Sequence, residues 1–365
     1  MKRKCKQVDI TDLGFIENAI NDCMTKKSKS VVEKRTDIKR IFDKYGDVHN
    51  VAIQLKKELE CKNLELKPIR YKKVFDYGSN KVREIALQDI KNQFYDYIAV
   101  NGLKDLENTL GKYQCASIKN RGQEYCARAI YGHIQDRNVK YAIKLDIRKY
   151  YESIDRNKLM NWLKKRIKND MLLWLIEQLL YTFKNGLSLG SYLSQFLGNL
   201  YLSDIYHNVE SMHYKRRNKL IKSVSFVCFY MDDILIVGSN SRQLINVAKQ
   251  IEIYCLDKGL QIKPNWSCIN INDGFIDMVG YRIFKTHITI RRATFKKIRR
   301  AYLRADRKPH DIVYARRVIS YQGKLKYSKS SKFCSKYNVY KVFKKAKGVL
   351  SKYDKINNKI RCQTT

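Results

Sequence analysis

From residue 224 to 237 the chain reads VSFVCFYMDDILIV, apolar on both sides of a single interruption, Asp232–Asp233. Short apolar runs rich in β-branched and aromatic residues predict strands covered on both faces. The pattern therefore predicts two strands joined by a tight turn that holds both aspartates. In YKKVFDYGSNKVREIALQD (71–89), β-prone runs flank the turn signal YGSN and predict a hairpin. YAIKLDI (141–147) predicts a short strand ending near Asp146, and FIDMVGYRIFKTHITIRR (275–292) another hairpin. Apolar residues at helical spacing predict helices over 90–110, late in 113–136, and over 156–168, 170–183 and 241–258. A glycine-containing turn at 185–190 should run into one long amphipathic helix. Residues 1–70 read as helical and polar, and the chain beyond 292 as helical and very basic. Strands alternating with helices over 140–290 predict an α/β lobe.

Charge changes the picture. Lys and Arg outnumber Asp and Glu by 74 to 35, a net +39, and residues 281–365 hold 26 cations against three acids. Such an excess calls for a polyanionic partner, and the 26 tyrosines offer stacking faces, so nucleic acid is the expected class. The 365 residues suffice for two or three lobes, and three prolines with no Gly/Ser-rich linker predict continuous ones. Ten cysteines without a CxxC pair argue against zinc. With MKRKCKQVDI at the start, reduced thiols in a cytoplasmic protein are expected. No apolar run reaches the length of a membrane span.

Two adjacent carboxylates among apolar strands are costly unless a cation compensates them or the turn is solvated. Both readings fit the pair alone. If the strand ending at Asp146 lies beside the hairpin, three carboxylates converge. Hard oxygen ligands of that kind suit Mg²⁺, and two such ions about 3.5–4 Å apart serve phosphoryl chemistry.

The flanking sequence carries a resemblance. YMDD between apolar strands resembles the catalytic motif of reverse transcriptases. KLDIRKYYESID (144–155) resembles their preceding aspartate motif, and GLSLGSYLSQFLGNLYL (186–202) their glycine turn and helix. KVREI (81–85) resembles the fingers motif, and FIDMVGYRI (275–283) the primer-grip hairpin. The resemblance implies an α/β (α+β palm) right-hand fold. An N-terminal extension and fingers would occupy 1–140, the palm 141–285 and a basic helical thumb 286–365.

The same resemblance implies catalytic Asp146, Asp232 and Asp233, which with Ile147 hold two Mg²⁺ ions, replaceable by Mn²⁺. Incoming dNTP would meet Lys81, Arg83, Leu189, Gly190, Gln195 and Tyr151. Tyr151, five residues after Asp146, would be the steric gate against a 2′-hydroxyl; the alternative is a core aromatic beside Tyr150. Met278, Val279, Gly280 and Tyr281 would grip the primer. Lys119 and Arg121, with Lys296, Lys297, Arg299 and Arg300, would contact nucleic acid.

LGSYLSQ (189–195) most resembles the reverse transcriptases of diversity-generating retroelements, with Leu189 where many relatives carry glutamine. Template RNA, a cDNA or primer strand, dNTPs and a small basic accessory protein are the implied partners. Phage-defence or orphan bacterial reverse transcriptases, making protein-primed or untemplated DNA, share parts of the pattern. A non-catalytic RNA-binding palm, or an RNA polymerase using the same palm, stands further off. LQIKPNWSC puts Asn265 and Trp266 where the family often has lysines, with Lys263 before the proline.

Overall fold

The computed structural model describes residues 3–27, 32, 35–76 and 81–362. α1 (Leu13–Thr25) begins at Asp12, whose carboxylate accepts from Phe15 N at 2.8 Å. α2 (Thr36–Tyr45) stops at Gly46, and Asp47 then caps α3 (Val48–Glu60) by accepting from Asn50 N. Side-chain caps of this kind satisfy amides that the first turn leaves without partners. β1 (Arg70–Asp76) and β2 (Lys81–Leu87) form the expected antiparallel hairpin, with Arg70 opposite Leu87. The YGSN turn lies outside the described residues. α4 (Ile90–Gly102), β3 (Gln114–Cys115), α5 (Gln123–Ile134) and β4 (Tyr141–Asp146) follow. Next come α6 (Tyr150–Ser153), α7 (Arg156–Lys164), α8 (Asp170–Tyr181), α9 (Tyr192–Tyr201) and α10 (Ser203–Glu210). β5 (His213–Arg216) and β6 (Lys219–Lys222) precede β7 (Phe226–Tyr230), β8 (Asp233–Gly238) and α11 (Ser241–Asp257). The chain continues with β9 (Cys268–Asn270), β10 (Ile276–Met278), β11 (Tyr281–Ile283) and β12 (Ile288–Ile290). It closes with α12 (Arg292–Arg307), α13 (Ile312–Lys326), α14 (Ser331–Lys336) and α15 (Val339–Cys362).

These elements pack as two compact units built from interleaved segments. The first comprises Met1–Ser117, Leu145–Met212 and Val247–Asn265. Its centre is α4, which packs against α1, α8 and α9. Phe94, Tyr95, Ile98 and Ala99 of α4 are fully buried, so this helix is apolar nearly all round rather than striped.

The second unit comprises Ile118–Lys144, His213–Asn246 and Trp266–Thr365. Its sheet runs β7–β8–β4–β9, with β7 antiparallel to β8 and β4 antiparallel to β9. β10, β11 and β12 form a separate meander, β5 and β6 a separate two-stranded ribbon, and α13 packs on α12 and α15. Strand β4 belongs to both units: Tyr141–Lys144 lie in the second and Leu145–Asp146 in the first. Among the described residues no helix is long and apolar enough to cross a membrane.

Two expectations change, and one element was not expected. The helix expected to run on from the turn at 185–190 is two helices, α9 and α10, with the junction at Leu202 and Ser203. There the Ser203 hydroxyl donates to Leu200 O at 2.6 Å, a local bond that competes with the helical ladder. The hairpin expected at 275–292 is a three-stranded meander, because a second turn closes where Phe284 N donates to His287 O at 2.9 Å. The ribbon β5–β6 has no counterpart in the expectations.

Candidate active site

The hairpin β7–β8 pairs Phe226 with Val237 and Tyr230 with Asp233, which leaves Met231 and Asp232 as a two-residue turn. Met231 has φ 54°, the left-handed backbone that tight hairpin turns require. Its non-glycine side chain makes the position a strained one. The expectation placed both aspartates in the turn; Asp232 lies there, and Asp233 is the first residue of β8. Strand residues Phe226–Phe229 and Ile234–Gly238 are buried, whereas Asp232 and Asp233 are partly exposed. Apolar strands on both sides thus fix the backbone, and the carboxylates emerge at the open end of the sheet.

Each unit supplies an ammonium to one carboxylate. In the second unit Lys144 Nζ of β4 lies 2.8 Å from Asp233 Oδ1. In the first, Lys263 Nζ ion-pairs with Asp146 Oδ1. Lys263 N also donates to Asp146 O at 2.9 Å, and Ile147 forms an antiparallel bridge with Ile262. Asp146 stands two residues beyond Lys144 on β4, and residues two apart in a strand share a face. Asp146 Oδ1 is buried and accepts no aligned hydrogen bond among the described residues, despite the Lys263 contact. A carboxylate oxygen is a hard ligand of the kind that suits a divalent cation. Lys144 was missed from the sequence; its one signal is the alternation Lys144–Leu145–Asp146.

In the first unit Tyr150 is the core aromatic: it is buried, and its hydroxyl donates to Gly198 O at 2.5 Å. Tyr151 is partly exposed, with its ring centroid 5.6 Å from that of Tyr150. Leu187 N donates to Tyr151 O at 2.7 Å, which ties the turn before α9 to α6. Leu189 O accepts from Ala86 N of β2 at 2.8 Å, which ties the turn to the hairpin. Gly190 and Gln195 line a cavity of about 230 Å³ with Asp96, Tyr97 and Tyr192. Gln195 Oε1 accepts from the Ser117 hydroxyl at 2.8 Å.

Asp96 is a site residue that the sequence reading missed. It is wholly buried in α4, and its Oδ2 accepts from the Ser191 hydroxyl at 2.7 Å and from Tyr192 N at 3.1 Å. It therefore pins the turn that carries Gly190 to the core. Burial pushes its carboxyl up to about 6, against the opposing pull of those donors. A raised folded-state pKa means that this group's contribution to stability is complete below the unfolded value and is lost as pH rises through about 6. Thermal unfolding of wild type and Asp96→Asn between pH 4 and 7 is expected to show the variant losing less stability, by up to about 3 kcal/mol for a two-unit shift. Parallel curves would show that Asp96 does not titrate in that window.

Of the remaining predicted residues, β2 begins at Lys81, whose side chain lies outside the described residues, and Arg83 is exposed. Met278 and Tyr281 pair across a two-residue turn in which Val279 and Gly280 have φ 48° and 85°. Lys324 of α13 braces that turn, its Nζ 4.8 Å from the Tyr281 ring centroid and bonded to Gln123 Oε1 at 2.8 Å. Lys119 and Arg121 lie in the loop before α5, Lys119 exposed and Arg121 partly so. Lys296, Arg299 and Arg300 lie exposed on α12, and Lys297 is half-buried. The structure thus places Asp232, Asp233 and the Val279–Gly280 turn in one unit, and Asp146, Tyr151 and the Leu189–Gly190 turn in the other.

No curated protein matches the chain. The sequence model of one family, described as reverse transcriptase (RNA-dependent DNA polymerase), matches residues 70–283, from the first residue of β1 to the last of β11. That match covers more than half of the chain, so the chain belongs to the reverse transcriptases and is an RNA-directed DNA polymerase, a nucleotidyltransferase with a polymerase palm that acts on template RNA, primer and dNTPs.

Proposed function

We propose that the chain is the error-prone reverse transcriptase of a diversity-generating retroelement, with Asp146, Asp232 and Asp233 holding two Mg²⁺ ions. The observation that carries the catalytic part is the pairing of carboxylate and ammonium at the open end of the β7–β8 hairpin. Asp232 occupies the turn, Asp233 takes Lys144 of β4, and Asp146 follows two residues later on that strand. Reverse transcriptases generally use divalent ions, and Mn²⁺ would be accepted here in place of Mg²⁺. When bound, such ions would supply Lewis acidity toward a primer 3′-hydroxyl and charge for the leaving pyrophosphate.

The chain's own residues do the rest. Asp146 and Asp232 would hold the ions through side-chain oxygens, with support from Asp233 and the Ile147 backbone. Tyr151 would act as the steric gate against a ribose 2′-hydroxyl and so select dNTPs. Lys81 and Arg83 hold the triphosphate, Gly190 lets backbone approach the nascent pair, and Gln195 flanks it. Met278–Tyr281 position the primer strand. Lys119, Arg121 and the α12 cations Lys296, Lys297, Arg299 and Arg300 neutralise template phosphates. Fingers with an N-terminal extension occupy 1–140, palm 141–285 and thumb 286–365. The enzyme works in the cytoplasm with a small basic accessory protein.

Primer extension tests the activity. Purified protein, primed RNA, dNTPs and Mg²⁺ should yield full-length cDNA. Product formed without the RNA would favour the defence-type reading instead. Fidelity tests the subtype. Leu189 offers an apolar surface near the nascent pair, so a mispair strands no buried polar group there. A glutamine would penalise mispairs by about 1–3 kcal/mol. Leu189→Gln is therefore expected to lower misincorporation, chiefly opposite adenine, by about tenfold, the ratio that about 1.4 kcal/mol gives. Sequencing cDNA from one RNA copied by both proteins measures it, and equal, low error rates would end the mutagenic reading.

A further inference from the structure

The ribbon β5–β6 is a strongly charged element that the catalytic reading leaves unused. Four strand pairs build it: His213 with Lys222, Tyr214 with Ile221, Lys215 with Leu220 and Arg216 with Lys219. Arg217 and Asn218, at φ 46° and 61°, make the two-residue turn. It forms its own two-stranded sheet. Tyr214 and Ile221, paired on one face, are half-buried and anchor the base of the ribbon. The opposite face, with His213, Lys215, Leu220 and Lys222, is exposed, and Leu220 reaches 72 %. Arg216, Arg217 and Lys219 are exposed at the tip.

The charge works against the ribbon's own stability. An isolated hairpin is marginal in water, and like charges directly opposite destabilise it further. Arg216 nevertheless faces Lys219. The sequence holds no acidic residue from 211 to 224. Among the described residues no carboxylate pairs with Lys215, Arg216, Arg217, Lys219 or Lys222. An anion lying along the ribbon would turn that repulsion into attraction.

The exposed face carries no aromatic side chain except His213, so it offers little platform for stacking unpaired bases. Its cations suit phosphates, which fix position without reading sequence. Lys215 and Lys222 project from one face, Arg216 and Lys219 from the other, and Arg217 stands at the tip. Cations on both faces and at the tip can meet the two phosphate backbones that border a duplex groove, which admits a two-stranded ribbon. We propose that β5–β6 is a further nucleic-acid contact, additional to the residues assigned above, that grips the phosphate backbone of double-helical nucleic acid without regard to sequence.

The test is binding, with no chemistry, so its outcome is independent of whether Asp232 is catalytic. Full-length protein is titrated with a labelled blunt RNA duplex, which has no recessed primer end, over a range of salt. A variant carrying Lys215→Ser, Arg216→Ser, Lys219→Ser and Lys222→Ser is compared with wild type. Four lost phosphate contacts should reduce the slope of log affinity against log salt by about three to four units, at about 0.9 per phosphate on a duplex. A single strand of the same sequence should show a smaller change. The charge-conserving set Lys215→Arg, Arg216→Lys, Lys219→Arg and Lys222→Arg should bind as wild type does, which guards against a ribbon that merely fails to form. Parallel titrations with blunt DNA and hybrid duplexes identify the helix gripped. An unchanged slope on all three duplexes, equal losses on single strand and duplex, or weakened binding by the charge-conserving set would each overturn the proposal.

Discussion

Replacing Asp232 by asparagine is expected to slow DNA synthesis by about a thousandfold while leaving the fold and RNA binding nearly intact. The change is isosteric, and it removes one negative charge and one hard oxygen ligand. Metal-borne charge stabilisation is worth several kcal/mol, and about 4 kcal/mol corresponds to about 10³ in rate. The fold should tolerate it, because Asp232 is partly exposed in a tight turn, where asparagine is well accepted. Surface changes of this kind usually alter stability by no more than about 0.5 kcal/mol. RNA binding draws on a net charge of +39, which the substitution raises by one. Single-turnover incorporation of one dNTP on a primed RNA measures the rate, and filter binding measures affinity. A variant rate within tenfold of wild type would contradict the role assigned to Asp232.

Gly190→Ala should be the next most damaging single change, for a steric reason. Gly190 has φ 107°, and a Cβ there would stand 2.4 Å from Ala86 O, a backbone atom that no rotamer change can move. Relief requires the turn to part from β2, which breaks the bond from Ala86 N to Leu189 O. Backbone strain of about 1–3 kcal/mol and a lost hydrogen bond of about 1 kcal/mol together predict destabilisation by about 2–4 kcal/mol. Nucleotide turnover should fall as well, since Leu189 and Gly190 would leave their positions. Gly132→Ala supplies the control. Gly132 lies in α5, exposed, with nothing within 4 Å of the added methyl. The same chemical change there should stabilise the protein by up to about 1 kcal/mol through helix propensity. Opposite signs in denaturant melts are the expected result, and a neutral Gly190→Ala would show that the turn is loosely held.

The parts legible in the sequence were those whose pattern is dictated by two-sided burial. The strands of 226–238 are buried along nearly their whole length, so their apolar runs were continuous and their interruption conspicuous. The order Asp146, Gly190, Asp232 and the turn at 279–280 was legible only through the resemblance of the surrounding motifs to those of reverse transcriptases. What stayed hidden had weaker local signals. HYKRRNKLIK has one short apolar pair, Leu220–Ile221, and its strand character rests on backbone pairing rather than burial. The break between α9 and α10 involves neither glycine nor proline at the junction, only the hydroxyl of Ser203. Asp96 looked like an ordinary polar residue in a helix, because its partners, Ser191 and Tyr192, lie far along the chain. The two interleaved units left no trace in composition, since each is assembled from separate stretches with no linker between them. Lys144 and Lys263 were two lysines among many until the folded chain brought one to Asp233 and the other to Asp146.

The central claim is that Asp146 and Asp232 serve one cluster of divalent ions. Iron-directed cleavage tests it most directly. With Fe²⁺ in place of Mg²⁺, and ascorbate and peroxide added, hydroxyl radicals form at the bound ion and cut the nearest backbone. Cuts are expected at two separate stretches, around residue 146 and around 231–233, both suppressed by excess Mg²⁺ and both lost in Asp232→Asn. Cuts at only one of the two stretches, or cuts indifferent to Mg²⁺, would contradict it.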